Sequence, residues 1–337
     1  MAFLIFSGPT SITAPEIATA LRINCGRTLP NTAPDVIINY GAGTFTVPRG
    51  TRRVINHPQY LRNKYSMLEH LNNCRNVTIP PFCKVEQIGR EIGRSLNFPI
   101  IGRTNMHQAG GGYWLCLSQR TVDWARNHGA NYFQQWKDIK TEYRVHVFGN
   151  RAIGVYKKVL RENPKDDFCR LIAKEICEEG NYNGVNEQTV KDILKKGVKH
   201  CTNPDFNIRS LHRGWRFQRD TNAPNVVTNM AIAAVNHSGL DFAAVDMMLL
   251  DNNTAAVIEL NTGPGMDVGG EAFNAYIACF RTALTTPAPA ARPAAARPTV
   301  NRPAPAIPRQ VPTETLRIAR TTGTNRRRIR RTIVRTT

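Results

Sequence analysis

Residues 240–267 read LDFAAVDMMLLDNNTAAVIELNTGPGMD, and their pattern decides the fold. Two apolar runs, 242–250 and 255–260, flank the turn residues Asp251-Asn252-Asn253, which predicts a β-hairpin. Glu259 and Asn261 stand two apart, so they share one face of the second strand. Asp246 lies on the partner strand, thirteen positions before Glu259. Three oxygen-bearing side chains on adjacent strands suit a hard cation such as Mg²⁺, which takes a few protein oxygens and keeps positions for phosphates and water. Acids at strand ends are also commonly just solvated, and spacing alone leaves both readings open. The TGPG loop at 262–265 favours the cation, because glycine lets backbone approach a phosphate closely.

Working outward, 3–6 (FLIF) and 35–39 (DVIIN) are short apolar runs, with helical character over 14–21 behind Thr13 as N-cap. Strand, helix, strand at this spacing predicts a βαβ unit with a parallel sheet. An amphipathic helix is expected over 58–73, entered through Pro58, before Pro80-Pro81 breaks the chain. Residues 98–103 and 113–117 read as strands around Gly110-Gly111-Gly112, and 143–148 with 151–159 as a hairpin turning at Gly149-Asn150. Helical spacing recurs over 165–200, split around 180–184, and over 228–238, which ends at Gly239.

The acid–13–acid–2–Asn spacing within VD…IELNTGPGMD resembles the metal motif of the ATP-grasp superfamily. The similarity is to the glutamate ligases that modify a ribosomal protein and, more distantly, to D-alanine–D-alanine ligase. It covers about residues 1–285 and is strongest over 98–160 and 205–268. The fold class it implies is mixed, α+β and α/β: an N-terminal βαβ pre-ATP-grasp domain (1–78) precedes two α+β subdomains that clasp the nucleotide, at 79–136 and 137–285. A charged, helical insertion is expected at 162–205 and a disordered Arg/Pro/Ala-rich tail at 286–337.

The resemblance also assigns roles. ATP and Mg²⁺ (or Mn²⁺) are the implied cofactors, the metal held by Asp246, Glu259 and Asn261. Lys64 matches the first nucleotide lysine, although alone it is one surface lysine among many. Arg103 stands where the superfamily has a second phosphate lysine; it keeps the charge but offers a planar fork. His107 precedes Gly110, Gly111 and Gly112, the implied flap over the β- and γ-phosphates through backbone N–H groups. Gln134, Gln135, Trp136 and Lys137 resemble the hinge that reads adenine through its backbone, the Trp136 ring itself reading as a core aromatic, and Glu142 matches the ribose position. Arg144 shares a strand face with His146, either lining a cleft or facing solvent. Lys157 and Lys158 end the next strand, similar to the superfamily's Ile-Lys-Arg, and Lys157 is the implied catalytic cation. Within IRSLHRGW (208–215), Arg209, Ser210, His212, Arg213 and Gly214 match the superfamily's Arg-Ser-Asn-Leu-His-Arg-Gly, whose Asn is missing here. Arg213 is the implied stabiliser of the transferring phosphate, with His212 beside it.

The implied activity is ATP-dependent ligation of a carboxylate substrate to an amine acceptor, such as a peptide or protein terminus, through an acyl phosphate. Two alternatives remain open: an ATP-grasp kinase, and an ATP-grasp fold repurposed for nucleic-acid or particle association. The second rests on charge. Of the net +20, the last 52 residues carry +11, from twelve Arg and the single acid Glu314, which suits nonspecific nucleic-acid binding. No apolar run reaches the roughly 18–20 residues of a membrane span, so no membrane partner is expected. The eight cysteines form no CxxC pair and read as buried thiols of a reducing, cytoplasmic compartment.

Overall fold

The computed structural model describes residues 1–8, 11–105, 112–160, 209 and 215–286. The expectations for the insertion at 162–205, for the tail beyond 286, and for His107, Gly110, Gly111, His212 and Arg213 fall outside these residues.

The first apolar runs form β1 (Ala2–Phe6) and β3 (Val36–Tyr40), with α1 (Thr13–Leu21) between them. Both strands are parallel in a sheet ordered β2-β1-β3-β4, completed by β2 (Asn24–Gly26) and β4 (Arg53–Ile55). Thr13 is not the N-cap expected. It is the first helical residue, and its hydroxyl accepts from the backbone N–H of Met266 at 3.3 Å. The expected helix over 58–73 is likewise divided into a 3₁₀ turn, Pro58–Tyr60, and α2 (Lys64–Leu71). Leu61 is extended, and Asn63 restarts the helix by accepting from the Ser66 N–H at 2.8 Å.

A second, antiparallel sheet runs β5 (Phe82–Lys84), β8 (Tyr132–Gln135), β6 (Ile100–Arg103), β7 (Tyr113–Cys116). The short α3 (Ile88–Glu91) and α4 (Gln119–Asn127) cover one face, with Ile88, Val122 and Ala125 packed on Ile100, Cys116 and Phe133. The third sheet is antiparallel throughout, in the order β11 (Trp215–Arg219), β10 (Arg151–Leu160), β9 (Thr141–Phe148), β12 (Phe242–Leu249), β13 (Ala255–Asn261). Both predicted hairpins are present. Gly149 turns the first with φ 56°, and Asn253 takes φ 56° in the second, a left-handed conformation that asparagine tolerates. All three sheets lie in one unit, Met1–Pro289.

Strand alternation gives the third sheet two different faces. Tyr143, Val145, Val147, Val245, Met247 and Leu249 pack beneath α5 (Asn225–Ser238) and beneath Met67 and Leu71 of α2. The opposite face is aromatic at one end, where Phe148 and Phe242 meet Tyr276 and Phe280 of α6 (Glu271–Thr285) and the core of the parallel sheet. At its other end that face carries Glu142, Arg144 and Asp246.

Asn56 locks the parallel sheet to β12. It is fully buried, its Nδ2 donates to the Phe242 carbonyl at 2.9 Å, and its Oδ1 accepts from the N–H groups of Asp241 and Phe242 at 2.8 and 3.1 Å. The start of the strand that carries Asp246 is therefore fixed from outside its own sheet. Five cysteines lie among the described residues, all free thiols, and Cys25 is exposed rather than buried as expected. No helix among those residues is long and apolar enough to cross a membrane.

Candidate active site

The β12/β13 hairpin sets the site. Asp246 and Glu259 are direct partners across the two strands, and Ala244 is the partner of Asn261. Immediately beyond Asp246 the register shifts, Met247 pairing with Val257, so Ile258 is an extra residue that bends β13. The three side chains converge. Asn261 Nδ2 lies 3.2 Å from both Asp246 Oδ2 and Glu259 Oε1, so a single amide touches both carboxylates.

Cations approach from three other elements. On β9, Arg144 is the direct strand partner of Asp246 and holds it with two bonds, Nε to Oδ1 at 2.7 Å and Nη2 to Oδ2 at 2.8 Å. Burial alone would lower the Arg144 pKa, but the Asp246 carboxylate beside it more than reverses this, and the guanidinium titrates above its ordinary value. From the first turn of α2, Lys64 Nζ donates to Glu259 Oε2 at 2.8 Å. From the end of β6, Arg103 Nη2 reaches the same oxygen at 3.6 Å. Lys64 and Arg103 thus come from different elements to one carboxylate oxygen.

Beside this centre, Glu142 is buried and bonded by Lys158, and burial raises its pKa above the usual carboxylate value, with Lys158 acting against that rise. Lys157 does not join the group expected of it. It pairs with Tyr143, so it lies on the opposite sheet face, 3.7 Å from Asp220, while its neighbour Lys158 lies on the face of Asp246. In a Lys-Lys doublet on a strand, only one lysine can face a given side. His146 shares the face of Arg144 but lines no cleft, because its ring is buried edge-on to Tyr156 and Tyr276.

The hinge is also divided in its roles. Gln134 is buried with its Nε2 unbonded among the described residues, a donor available to a ligand. The Gln135 side chain is occupied, accepting from the Asn97 N–H at 2.8 Å and donating to the Asn97 and Pro99 carbonyls. Trp136 and Lys137 are half-buried on the segment that crosses from β8 to β9, and Trp136 is not the core aromatic expected. On that segment Asp138 is an exposed carboxylate that no sequence motif marks out, whereas Glu142 is buried. Gly112 closes the β6–β7 loop at φ 60°, where a Cβ would fall 2.3 Å from Thr104 Oγ1.

Gly263 has a reason other than phosphate. A Cβ there would lie 3.0 Å from the Tyr40 carbonyl oxygen and 3.1 Å from Gly41 Cα, and the Tyr40 hydroxyl donates to the Pro264 carbonyl. The loop after Asn261 is thus packed backbone to backbone on the parallel sheet, while Gly265 has open space around it.

Two carboxylates and one amide are hard oxygen donors that fit Mg²⁺, which binds through one or two carboxylates and fills its remaining positions with water and phosphate. No cluster of three or more His, Cys, Asp or Glu is present among the described residues, so any metal here relies on the amide and on a ligand's oxygens. The chain, a parallel sheet followed by two antiparallel sheets with this hairpin at one edge of the last, is similar in structure to known enzymes. D-alanine–D-alanine ligase from Bacillus anthracis aligns over 84% of this chain and 98% of its own, with TM-score 0.52 and 11% identity. The ATP-grasp ligase PsnB, complexed with a phosphomimetic variant of its minimal precursor, Mg and ADP, aligns over 82% and 98%, with TM-score 0.50 and 13% identity.

The fold is ATP-grasp. A RimK domain ATP-grasp protein from Sphaerobacter thermophilus adds a third likeness, over 83% and 99% of the chains, with TM-score 0.50 and 12% identity. By sequence, no family model and no curated protein matches. Among the candidate residues, Arg103 and Gln134 stand on one antiparallel sheet and Arg144, Asp246, Glu259 and Asn261 on the other, with Gly112 in the β6–β7 loop.

Proposed function

We propose that this protein is an ATP-dependent carboxylate–amine ligase acting on a peptide or similar acceptor. The observation that carries the reading is the meeting of Asp246, Glu259 and Asn261 with Lys64 and Arg103 at one point of an ATP-grasp fold. Asp246, Glu259 and Asn261 would hold Mg²⁺, which when bound neutralises phosphate charge. Lys64 and Arg103 would bind the triphosphate. Gln134 and the backbone of the hinge, with Trp136 and Lys137, would hold adenine, and the open Asp138 suits the ribose better than the enclosed Glu142. Gly110, Gly111 and Gly112 with His107 are assigned the flap, and Arg213 with His212 the charge of the transferring phosphoryl group. Lys158, not Lys157, is the strand lysine on the reactive face.

In the reaction a substrate carboxylate oxygen attacks the γ-phosphorus as the bond to the β-phosphate oxygen breaks, and ADP leaves. The amine lone pair then attacks the acyl carbon of the acyl phosphate; phosphate departs and the amine loses a proton. Water must be excluded between the two steps, or the intermediate hydrolyses. PsnB binds a precursor, which favours a peptide partner for this chain too.

Mass spectrometry of products from ATP with a pool of amino acids and peptides tests the reading. A product equal to the two substrates less one water, formed with ADP and free phosphate, supports ligation. A product heavier by a phosphoryl group without free phosphate identifies a kinase, and no ADP with any substrate removes both. A second reading concerns the tail alone: twelve Arg in 52 residues favour association with nucleic acid. It predicts retention on immobilised nucleic acid that falls steeply with salt and is lost on removing 287–337.

A further inference from the structure

Phe217 is a half-buried aromatic on β11, the edge strand of the third sheet, directly opposite Lys158 of β10. Its ring does not stay over its own strand pair. The Lys158 ammonium lies 5.6 Å from the ring centroid, and the Arg144 guanidinium, from β9 one strand further in, lies 4.6 Å from it. Each of these cations is already bonded to a buried carboxylate, Arg144 to Asp246 and Lys158 to Glu142.

Two cations and two carboxylates on adjacent positions of one sheet face can be paired in two ways. Glu142 stands two residues from Arg144 on β9, so the two share a sheet face and Glu142 is a competing partner for the guanidinium. The alternative pairing would release Asp246 from the two-pronged bond that fixes its orientation beside Glu259 and Asn261. An aromatic face attracts a cation without offering a hydrogen-bond acceptor. A ring lying over both cations therefore holds each in place and competes for neither carboxylate.

We propose that Phe217 is a positioning residue that sorts Arg144 onto Asp246 and Lys158 onto Glu142, and so fixes the orientation of Asp246 for a metal–nucleotide ligand. The nucleotide half of this statement rests on the ligase reading above; the sorting itself does not.

Two measurements on the full chain separate these. Hydrogen exchange at the Arg144 Nε–H, followed by ¹⁵N NMR without nucleotide, reads the sorting directly. Phe217→Leu, which keeps the apolar bulk and removes the ring, is expected to speed this exchange about three- to tenfold, and Phe217→Tyr to restore it. The dissociation constant for Mn²⁺·ADP is expected to rise by a similar factor in Phe217→Leu and to return in Phe217→Tyr. Unchanged exchange in Phe217→Leu, or a Tyr variant as impaired as Leu, overturns the proposal. Faster exchange with an unchanged Mn²⁺·ADP constant overturns its nucleotide half. Failure of the unaltered protein to bind Mn²⁺·ADP refutes the ligase reading, while the exchange result still decides the sorting.

Discussion

Arg144 grips Asp246 through Nε and Nη2 of its guanidinium, at 2.7 and 2.8 Å, so the carboxylate best placed to bind a metal is also half of a buried ion pair. A carboxylate has about four lone-pair sites, and two N–H bonds from Arg144 with one from Asn261 leave room for about one more partner. The pair thus holds the oxygen pointing at Glu259 and Asn261 without saturating it.

Removing one partner of a buried pair leaves an uncompensated charge and costs about 3–5 kcal/mol. Arg144→Met is expected to lose about that much unfolding free energy in urea titration without divalent ions. Mg²⁺ with ADP should restore part of it, because a ligand that binds only the native state stabilises it. No destabilisation in Arg144→Met would show that the pair is not held in the folded protein.

The packing of the loop after Asn261 predicts a contrast between neighbouring glycines. Gly263→Ala puts a Cβ against the backbone of Tyr40 and Gly41 and should cost about 1–3 kcal/mol, whereas Gly265→Ala meets nothing within 4 Å and should be nearly neutral. Thermal unfolding of the two variants checks this. Equal losses would contradict the backbone contact.

Acid sensitivity follows from His146, whose pKa is pushed down to about 3 by burial, the Arg144 charge adding to the effect. Its ordinary value is 6.5, so between pH 6.5 and 3 the unfolded chain binds more protons at this site than the native one. Stability is full above pH 6.5 and declines as the pH falls, by up to about 1.4 kcal/mol per pH unit for this one group. His146→Phe should flatten the decline in urea midpoints between pH 6.5 and 4. His70, also lowered by burial, retains part of the slope. Glu142, raised by burial, acts in the opposite direction and loses stability as the pH rises. An acid limb unaltered in His146→Phe would contradict the assignment.

Much of this molecule was legible where local chemistry determines conformation. The hairpins turning at Gly149 and Asn253, and the helix ending at Gly239 with φ 79°, follow from residues that accept positive φ. The face shared by Glu259 and Asn261 followed from strand alternation and survives the bulge at Ile258. Other features depend on partners distant in sequence. Nothing near Thr13 indicates that its hydroxyl meets Met266, and nothing near Gly263 indicates Tyr40. The choice between Lys157 and Lys158 needed the register against β9, which a doublet does not reveal. Of the unanticipated elements, α6 had a readable signal in Phe273, Tyr276, Ile277 and Phe280 at helical spacing. By contrast, α4 buries only Val122 and Ala125, too narrow a stripe to read.

In the proposed ligase, Glu259 would hold the metal and also restrains Lys64 and Arg103, the cations proposed for the phosphates. Among the described residues, Lys64, Arg103 and Arg144 against Asp246 and Glu259 leave one positive charge in excess, so a divalent ion should bind with a nucleotide rather than before it. Calorimetric titration of ADP, with Mg²⁺ and with chelator, into the unaltered protein and Glu259→Gln is the direct measurement. Mg²⁺ should tighten ADP binding at least tenfold in the unaltered protein, equivalent to about 1.4 kcal/mol, and hardly at all in the variant. Metal-free ADP should bind the variant as well or better, because Lys64 and Arg103 are released to the phosphates. Equal tightening by Mg²⁺ in both proteins would contradict the account.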